Sequence, residues 1–469
     1  MTIRLYNTLT RQIEELKPIN PGKIGMYCCG PTVYNFQHIG NFKTFLFEDI
    51  LDRTLRYAGL EVKHVMNITD VGHLTSDGDE GEDKMAVAMR REKKKSEEIA
   101  DFYTEKFFND WDKLNLRRPD IVCKATKHIP EMIELIKRIE ANGYAYQAGG
   151  NVYFDVEKFK DYGKMARLDL EQLRAGARVD VDEHKKNGLD FALWFTKSKF
   201  ENQELTWDSP WGHGYPGWHI ECSAMSMKYL GEEFDIHCGG IDHIPVHHTN
   251  EIAQSEAATG HQCVRVWMHS EFLLLDKQKM SKSKGGFLVL NDIIERGFDP
   301  LVYRMLVLSA NYRAQLNFSW EIMENTAQSL AKLRKTVEKL KGDVKSQGNL
   351  QSNEEKVNTY RNSFKEALFN DLNTPQALAT TWGVISDKEL SPQDKLDLIF
   401  EFDSVLGLNL EKWEEAKVEI TPELQSLLDA RQTARANKDW GAADAARDQL
   451  LALGYKVEDS ASGPKLKKI

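Results

Sequence analysis

Two short segments of the chain combine residue types that can handle phosphate groups. Residues 38–41 (HIGN) lie where a predicted turn leads into a helix, and residues 279–283 (KMSKS) follow a strand-like stretch. The start of a helix offers free backbone N–H groups to a phosphate, and a glycine there allows close approach. Lys279 and Lys282 can follow a polyphosphate chain and neutralise charge as pyrophosphate leaves. HIGN alone is more often an ordinary helix start, whereas KMSKS is a much more specific signal.

Cysteine and histidine side chains form a second group that could do chemistry. Six cysteines in 469 residues are too few for a disulfide framework, so they are either core thiols or metal ligands. Residues 207–276 are rich in histidine, glycine, cysteine and tryptophan, a composition unlike that of a plain scaffold. Within this stretch His247 and Glu251 are four residues apart, which places them on one face of a predicted helix.

The elements that must position these groups follow from the apolar pattern. Lys23–Cys28 is a predicted buried strand, residues 38–58 a helix stopped by Gly59, and Glu61–Ile68 a second strand. A strand, a helix and a strand in this order predict a parallel crossover unit and an α/β fold. From Trp320 onward the pattern is helical, with a polar break at residues 345–353 and a new helix opened by Thr421 and Pro422.

HIGN and KMSKS together resemble the two signature motifs of class I aminoacyl-tRNA synthetases. Further segments resemble the cysteinyl-tRNA synthetase family in particular, and with them the resemblance covers almost the whole chain. These segments are residues 27–34 (YCCGPTVY), 67–70 (NITD), 217–225 (GWHIECSAM), 247–254 (HHTNEIAQ) and 370–375 (NDLNTP), together with the C-terminal helical hairpin. The resemblance implies a cysteine–tRNA ligase that activates cysteine with ATP and magnesium and transfers it to the 3′ end of tRNA(Cys).

The same resemblance implies the fold and the domain order. We expect an α/β, Rossmann-like class I synthetase catalytic domain with an inserted connective domain, then a helical bundle and a small C-terminal anticodon-binding domain. The expected segments are the first catalytic half (1–118), the insertion (119–200), the second catalytic half with a zinc site (201–270), the KMSKS region (271–319), the bundle (320–415) and the anticodon-binding region (416–469).

A zinc site is the implied device for selecting cysteine over serine. A hydrophobic pocket separates sulfur from oxygen poorly, whereas zinc binds a thiolate directly and lowers its pKa. By resemblance the ligands of one zinc ion per chain are Cys29, Cys222, His247 and Glu251, a donor set that suits this metal. Helix geometry makes His248 a less favourable partner of Glu251 than His247 is.

The resemblance also assigns residues to the two substrates. His38 and Asn41 are expected in the ATP phosphate region with Lys279 and Lys282, and Asp242 at the ribose. Thr69, Trp218 and His237 are the expected lining of the cysteine pocket. Packing or turn chemistry would explain Thr69 and Trp218 equally well.

Three features depart from the commoner family pattern. Asn41 stands in place of a second histidine, so it can donate a hydrogen bond but cannot carry charge. Cys238 stands where a glycine is usual, and its thiol is either a passive neighbour or an additional metal ligand. Residues 241–246 also differ from the commoner form of that loop.

Charge and hydropathy restrict the partners. The formal net charge of −10 argues against a general polyanion binder but leaves room for a local basic face. The C-terminal hairpin supplies such a face, because Arg431, Arg435, Lys438 and Arg447 surround Trp440, which either stacks on an unpaired base or packs the hairpin. Since the chain shows neither a membrane-spanning stretch nor a secretory signal, we expect a cytoplasmic protein, and by resemblance a monomer.

Two alternatives are weighed against the synthetase. A related ligase joins cysteine to an amino-sugar, as in mycothiol biosynthesis, but about 150 residues follow Trp320 here, whereas those relatives lack a full anticodon-binding end. A zinc-dependent RNA-binding protein without catalysis would not need an intact KMSKS segment.

Overall fold

The computed structural model describes two compact units, Met1–Leu410 and Glu411–Ile469. The residues that it describes are 2–72, 84–167, 184–197, 205–275, 278–279, 287–347, 351–414, 420–460 and 463–468. Within these ranges, none of the helices combines the length and the apolar composition that crossing a membrane requires.

The first unit mixes strands and helices up to β14 and is helical from Trp320 to its end. Its strands are β1 (Arg4–Asn7), β2 (Gln12–Glu15), β3 (Lys23–Cys28), β4 (Glu61–Ile68), β5 (Ile121–Lys124), β6 (Ala145–Ala148), β7 (Asn151–Phe154), β8 (Phe191–Phe195), β9 (Tyr215–Pro216), β10 (Phe234–Gly240), β11 (Val264–Ser270), β12 (Leu273–Leu275), β13 (Gln278–Lys279) and β14 (Leu316–Phe318). Its helices are α1 (Ile39–Tyr57), α2 (Lys84–Glu92), α3 (Ser96–Lys113), α4 (Ile129–Ala141), α5 (Trp218–Leu230), α6 (Thr249–Thr259), α7 (Leu290–Glu295), α8 (Pro300–Leu308), α9 (Trp320–Gln347), α10 (Glu354–Phe369), α11 (Thr374–Ser386) and α12 (Pro392–Leu406).

A parallel sheet forms the centre of the first unit. Its strand order is β11-β10-β3-β4-β5, and every neighbouring pair is parallel. The predicted crossover of β3, α1 and β4 is confirmed, with Tyr27 opposite Val65 in the register. The later strands β10 and β11 add on the other side of β3, so the order in which strands join the sheet reverses between β3 and β10, although all of them stay parallel. In parallel sheets a ligand cleft opens at the carboxyl ends of the strands at this point.

The first unit contains three smaller sheets, of which β1 and β2 form an antiparallel pair. Strands β6 to β9 form an antiparallel sheet in chain order, within the region predicted as an insertion and the residues just after it. Strands β13, β12 and β14 form the third, in which β12 pairs antiparallel with β13 and parallel with β14. Because β13 ends at Lys279, this small sheet carries the first residue of KMSKS, while residues 280–286 lie outside the described residues.

The helical end of the first unit shares a hydrophobic core with the central sheet. Phe364 of α10 stacks on Phe402 of α12 with ring centroids 3.9 Å apart, and it meets Tyr57 of α1 edge to face. The predicted polar break is confirmed, since α9 ends at Gln347 and α10 begins at Glu354. The helices therefore pack against α1, the helix that begins with HIGN.

A buried ion pair ties these layers together. Arg304 of α8 donates to Asp49 of α1 at 2.6 Å, and neither side chain is exposed to solvent. The same guanidinium also donates to the backbone carbonyl of Leu406 at 2.6 Å, and Leu406 is the last residue of α12. The charge of Arg304 offsets the effect of burial and keeps the pKa of Asp49 below its ordinary value.

Removing Asp49 is expected to destabilise the first unit strongly. In Asp49→Ala the guanidinium of Arg304 stays buried without a counter-charge, which typically costs about 3–5 kcal/mol. The matched control is Glu61→Ala, because the Lys23–Glu61 pair spans 3.1 Å on an exposed surface and its loss typically costs about 0–1 kcal/mol. Urea unfolding of both variants checks this, and equal destabilisation would contradict the anchoring role of the buried pair.

The second unit is a helical hairpin followed by two strands. It contains α13 (Pro422–Ala436), α14 (Trp440–Ala452), β15 (Tyr455–Ser460) and β16 (Gly463–Lys468), around a core of leucines that includes Leu428 and Leu450. The predicted helix start is confirmed, because the Thr421 side chain accepts the N–H of Leu424. Gly454 follows α14 in the left-handed region with φ 85°, a conformation that favours glycine.

The structure corrects part of the basic face expected on this hairpin. Arg431 is only 9% exposed, because its position on α13 faces the leucine core, whereas Trp440 is 62% exposed at the start of α14. Arg447 lies 3.0 Å from Asp444, so part of its charge is already balanced. Trp440 therefore does not pack the hairpin, and the side chains of Arg435 and Lys438 are exposed as well.

Candidate metal and nucleotide site

A cavity of about 310 Å³ opens where the carboxyl ends of β3 and β10 meet. Its wall combines sulfur, imidazole, amide, hydroxyl and aromatic groups from both halves of the central sheet. The lining residues are Cys29, Gly30, Pro31, Thr32, Tyr34, Gln37, His38, Asn41, Thr44, Phe45, Asn67, Thr69, Lys84, Trp218, Cys222, Gly240, Asp242, His243 and His247. A volume of this order accommodates a small ligand, and the mixture of groups suits a polar one.

The four predicted metal ligands come together at this cavity. One ligand atom from each of Cys29, Cys222, His247 and Glu251 lies within 4.8 Å of the other three, and all four side chains are buried. Cys29 directly follows β3, Cys222 lies in the first turns of α5, and Glu251 lies in the first turn of α6. The parallel sheet thus brings together residues that are far apart in the sequence.

The geometry of this cluster fits a shared cation. Oε1 of Glu251 is buried and has no hydrogen-bond partner among the described residues, although Nε2 of His247 lies 3.0 Å away. Such an approach without a hydrogen bond is expected when both atoms turn toward a common ion. Two thiols, an imidazole and a carboxylate form a donor set typical of tetrahedral zinc.

Protonation states in the cluster also favour a cation. Burial by itself would lower the pKa of His247, but the charges of Glu251 and Cys222 raise it to about 10. The hydrogen bond from Cys29 lowers the pKa of Cys222 to about 7, whereas burial raises the pKa of Cys29. A protonated imidazole therefore balances buried negative charge, and a metal ion would replace this proton because it needs neutral histidine and thiolate ligands.

Outer contacts fix the orientation of these side chains. Nδ1 of His247 lies 3.0 Å from Nδ1 of His219, which leaves Nε2 of His247 for Glu251. On the other side of the carboxylate, Nε2 of His237 lies 2.9 Å from Oε2 of Glu251. Such contacts hold a ligand's ring and carboxylate in one position and tune the metal.

His248 approaches Glu251 less closely than His247 does, in the order that helix geometry predicted, but it also contacts Cys29. Nε2 of His248 lies 3.3 Å from Sγ of Cys29 and 3.8 Å from Oε1 of Glu251. Residues three apart on a helix lie on one face just as residues four apart do, and the wide helical turn Ile244–His248 presents both histidines to the site. Cys29, His237, His248 and Glu251 consequently form a second possible ligand group.

The three cysteines near β3 have different surroundings. Cys28 and Cys238 are opposite each other in the register of β3 and β10, and both belong to the apolar core shared with α1. Cys29 lies one residue further along and joins the core around Cys222. Neither Cys28 nor Cys238 belongs to a candidate metal group in the described part of the chain, which favours the passive reading of Cys238.

HIGN forms the cap of α1 beside the same cavity. Nδ1 of His38 accepts the N–H of Asn41 at 2.9 Å, and Oδ1 of Asn41 accepts the N–H of His38 at 3.2 Å. This reciprocal capping satisfies two helix N–H groups. The departure at Asn41 therefore has a structural role, and both side chains also line the cavity.

The remaining predicted residues are distributed unevenly around the cavity. Thr69, Trp218 and Asp242 line it, and the Trp218 ring lies 4.5 Å from the ring of His247. His237 does not line it, because this side chain lies behind Glu251 and stacks on Trp267 with ring centroids 4.4 Å apart. Lys282 lies outside the described residues, and of Lys279 only the backbone is described, in β13.

The structure adds a buried polar chain that sequence reasoning missed. Asn67 accepts the N–H of Gly30 at 2.7 Å and donates to Oγ1 of Thr69, which donates to the buried carboxylate of Glu221 at 3.1 Å. A Cβ on Gly30 would lie 1.7 Å from the carbonyl oxygen of Asn67, so only glycine fits this approach. Asn67 and Glu221 both lie within the segments that carry the family resemblance, which was the one available signal for them.

The fold and the cavity define a class I tRNA synthetase. The family model described as tRNA synthetases class I (C) catalytic domain matches residues 15–328. A solved structure of Mycobacterium tuberculosis methionyl-tRNA synthetase in complex with methionyl-adenylate has the same fold, with a TM-score of 0.58 at 14% identity over 82% of this chain and 90% of that chain. The predicted α/β class I architecture is confirmed.

The comparisons also identify the family within this class. The model of the cysteinyl-tRNA ligase anticodon binding domain matches residues 417–463. A cysteine–tRNA ligase of Treponema denticola is 51% identical over 493 residues, covering 100% of both chains. The cysteine–tRNA ligase 1 of Burkholderia lata is 46% identical over 467 residues, covering 99% of this chain and 97% of that one. The chain belongs to the cysteine–tRNA ligase family, whose members are ATP-dependent class I aminoacyl-tRNA synthetases, and the resemblance inferred from the sequence is confirmed.

Proposed function

We propose that the chain activates cysteine in the cavity between β3 and β10 and transfers it to the 3′ end of tRNA(Cys). The observation that carries this proposal is the buried group of Cys29, Cys222, His247 and Glu251 at a cavity that His38 and Asn41 also line. The proposed metal group, which would select the thiol, and the start of α1, which would bind phosphate, thus share one cavity. The amino-sugar ligase and the non-catalytic RNA-binding protein are not favoured by the family match over both catalytic and anticodon domains.

The residues assigned to ATP have proposed roles in the first half-reaction, the formation of cysteinyl-adenylate. The carboxylate of cysteine attacks the α-phosphate of ATP, and pyrophosphate leaves, so no protein side chain has to act as the nucleophile. His38 and Asn41, held by the cap of α1, donate to the phosphates, and Asp242 accepts from the ribose. Lys279 and Lys282 balance the charge of the departing pyrophosphate, which in this reaction is accompanied by magnesium.

The candidate metal group accounts for the choice of cysteine over serine. Cys29, Cys222, His247 and Glu251 would hold one zinc ion, and when bound the ion supplies a soft Lewis acid that prefers a thiolate to an alcohol. Trp218 closes the cavity beside His247, and the chain from Asn67 through Thr69 to Glu221 fixes the wall opposite. His237 does not line the cavity, and its proposed role is to orient the carboxylate of Glu251 through their hydrogen bond.

Cysteine-dependent ATP–pyrophosphate exchange tests this proposal most directly. The purified protein should catalyse exchange with cysteine and far less with serine, and it should charge tRNA(Cys). Comparable exchange with both amino acids would contradict selection by a metal. Exchange with cysteine but no transfer to tRNA would favour the amino-sugar ligase, and absence of exchange would favour the RNA-binding protein.

Trp440 is expected to contribute to tRNA recognition. Since this indole is exposed, Trp440→Ala should weaken tRNA(Cys) charging by an amount typical of one lost stacking contact, about 1–3 kcal/mol in kcat/KM for tRNA. Exchange without tRNA should stay within about twofold, because anticodon binding is not required for adenylate formation. Leu451→Ala is the matched control, since Leu451 is 52% exposed on the same helix. Equal charging by both variants would remove Trp440 from the RNA-binding surface.

One chain suffices for the proposed reaction. The four proposed metal ligands and the described residues that line the cavity lie on one chain, and we propose, as the family resemblance implies, that the protein acts as a monomer. We further propose the domain limits given above, with residues 416–469 as the anticodon-binding region. Sedimentation equilibrium in the absence and presence of tRNA(Cys) measures the oligomeric state, and a stable dimer would contradict the monomer.

A further inference from the structure

Lys84 is a cation in the wall of the cavity to which the proposed mechanism gives no role. It is the first residue of α2, and it lines the cavity together with Tyr34 and Trp218. Its Nζ atom lies 5.5 Å from the centroid of the Trp218 ring and 5.9 Å from that of the Tyr34 ring. Aromatic faces attract an ammonium group without neutralising its charge. The rings therefore position a positive charge at the cavity.

Among the residues that the structure describes, none offers Lys84 a counter-charge in the cavity. Among the described lining residues, Lys84 is the only lysine or arginine, and Asp242 is the only carboxylate. No described carboxylate lies within ion-pair distance of Lys84. A substrate with an anionic group would supply the missing charge, and removal of that group from water is costly unless a cation meets it.

The position of Lys84 identifies which anionic group this is. The Trp218 ring that carries the ammonium also contacts His247, with ring centroids 4.5 Å apart. The Trp218 ring therefore lies between the ammonium group of Lys84 and His247 of the metal group. In free cysteine the carboxylate is close to the sulfur, so a thiol held by the metal group brings the carboxylate to this part of the wall.

We propose that Lys84 binds the carboxylate of substrate cysteine through a charge-assisted hydrogen bond. The inference rests on the proposed function, because it takes cysteine as the substrate and the metal group as the site of its sulfur. Lys84 holds the carboxylate in place for attack on ATP, and it separates cysteine from small thiols that lack an acid group. Such thiols would otherwise satisfy the metal group equally well.

Equilibrium binding of two thiols tests this role without relying on catalysis. L-cysteine carries the carboxylate, and cysteamine is the same thiol without it. For Lys84→Met, the dissociation constant of L-cysteine should rise about 10- to 100-fold, as expected for one lost hydrogen bond between charged groups. The dissociation constant of cysteamine should change by less than about twofold, since both the thiol and the metal group are intact.

Two further variants separate a contact from a structural effect. Lys84→Arg keeps the positive charge and should recover most of the affinity for L-cysteine. Lys94→Met is the matched control, because Nζ of Lys94 lies 4.8 Å from the centroid of the Phe102 ring but Lys94 does not line the cavity. This control should bind both thiols as the wild type does.

Other outcomes would overturn the inference. Equal weakening of L-cysteine and cysteamine by Lys84→Met would mean that Lys84 acts through the fold or the metal group. Unchanged L-cysteine binding with a loss of tRNA charging would assign Lys84 to the RNA. Failure of the proposed function is distinguishable from both, because the wild-type protein itself would then bind neither thiol.

Discussion

Replacing Cys222 by serine is expected to remove the proposed zinc ion and to raise the KM for cysteine at least about a hundredfold. Altering only an outer contact of a metal site typically costs 10- to 100-fold in affinity or activity, so the loss of a direct ligand should exceed that range. An alcohol is a poor zinc ligand, and serine cannot take over the role of a thiol whose pKa is lowered to about 7. Metal analysis of the purified protein and exchange kinetics with cysteine measure the two effects.

Cys263→Ser is the matched control for this experiment. Cys263 is also a buried thiol, but it lies outside both candidate ligand groups, and its Sγ atom is 3.3 Å from the hydroxyl of Thr259. A serine there can keep that hydrogen bond, so this variant should retain the metal and the wild-type KM. The assignment fails if the wild-type protein contains no zinc, or if Cys222→Ser retains as much zinc as the control.

Replacing Lys282 by alanine is expected to lower kcat for adenylate formation about 100- to 1,000-fold. Loss of one group that stabilises charge in the transition state typically has an effect of this size. The KM for cysteine should change much less, because the proposed contact forms with the departing pyrophosphate and not with the amino acid. Steady-state exchange kinetics with cysteine and ATP separate the two parameters.

Lys284→Ala controls for the general charge of this segment. Lys284 lies two residues beyond Lys282 and outside the KMSKS motif, so its loss removes the same charge without the same proposed contact. Near-normal exchange by Lys282→Ala together with poor cysteine affinity would place Lys282 elsewhere. Equal losses in both variants would indicate that only the net charge of the segment matters.

The sequence by itself determined the local elements and the family. The limits of β3, α1 and β4 follow from apolar runs bounded by Gly30 and Gly59, because strand and helix periods and turn residues act over a few neighbouring positions. The start of α13 follows in the same way from Thr421 and Pro422. HIGN, KMSKS and the cysteine-containing segments then identified the class and the family, which the comparisons confirm.

Residues whose roles depend on neighbours from distant segments were less accessible from the sequence. The Asn67, Thr69 and Glu221 chain links β4 with α5, and the only trace of Glu221 in the sequence is its place within a family segment. Periodicity ranked His248 behind His247 as a partner of Glu251, and the distances of 3.8 Å and 3.0 Å follow that order, but the contact of His248 with Cys29 was not predicted. The wide helical turn Ile244–His248 brings both His247 and His248 to the site, and this turn was not predicted from the sequence.

Only the tertiary structure decided which of the candidate groups meet. Cys29 and Cys222 come together because β10 and β11 add to the sheet beside β3, and nothing in an apolar strand specifies which neighbour it will pair with. The burial of Arg431 and the exposure of Trp440 likewise depend on how α13 and α14 pack around Leu428 and Leu450. Hydrophobic patterns specify that a face is buried, but the partner of that face is set by packing over the whole chain, since burial is favourable and non-directional.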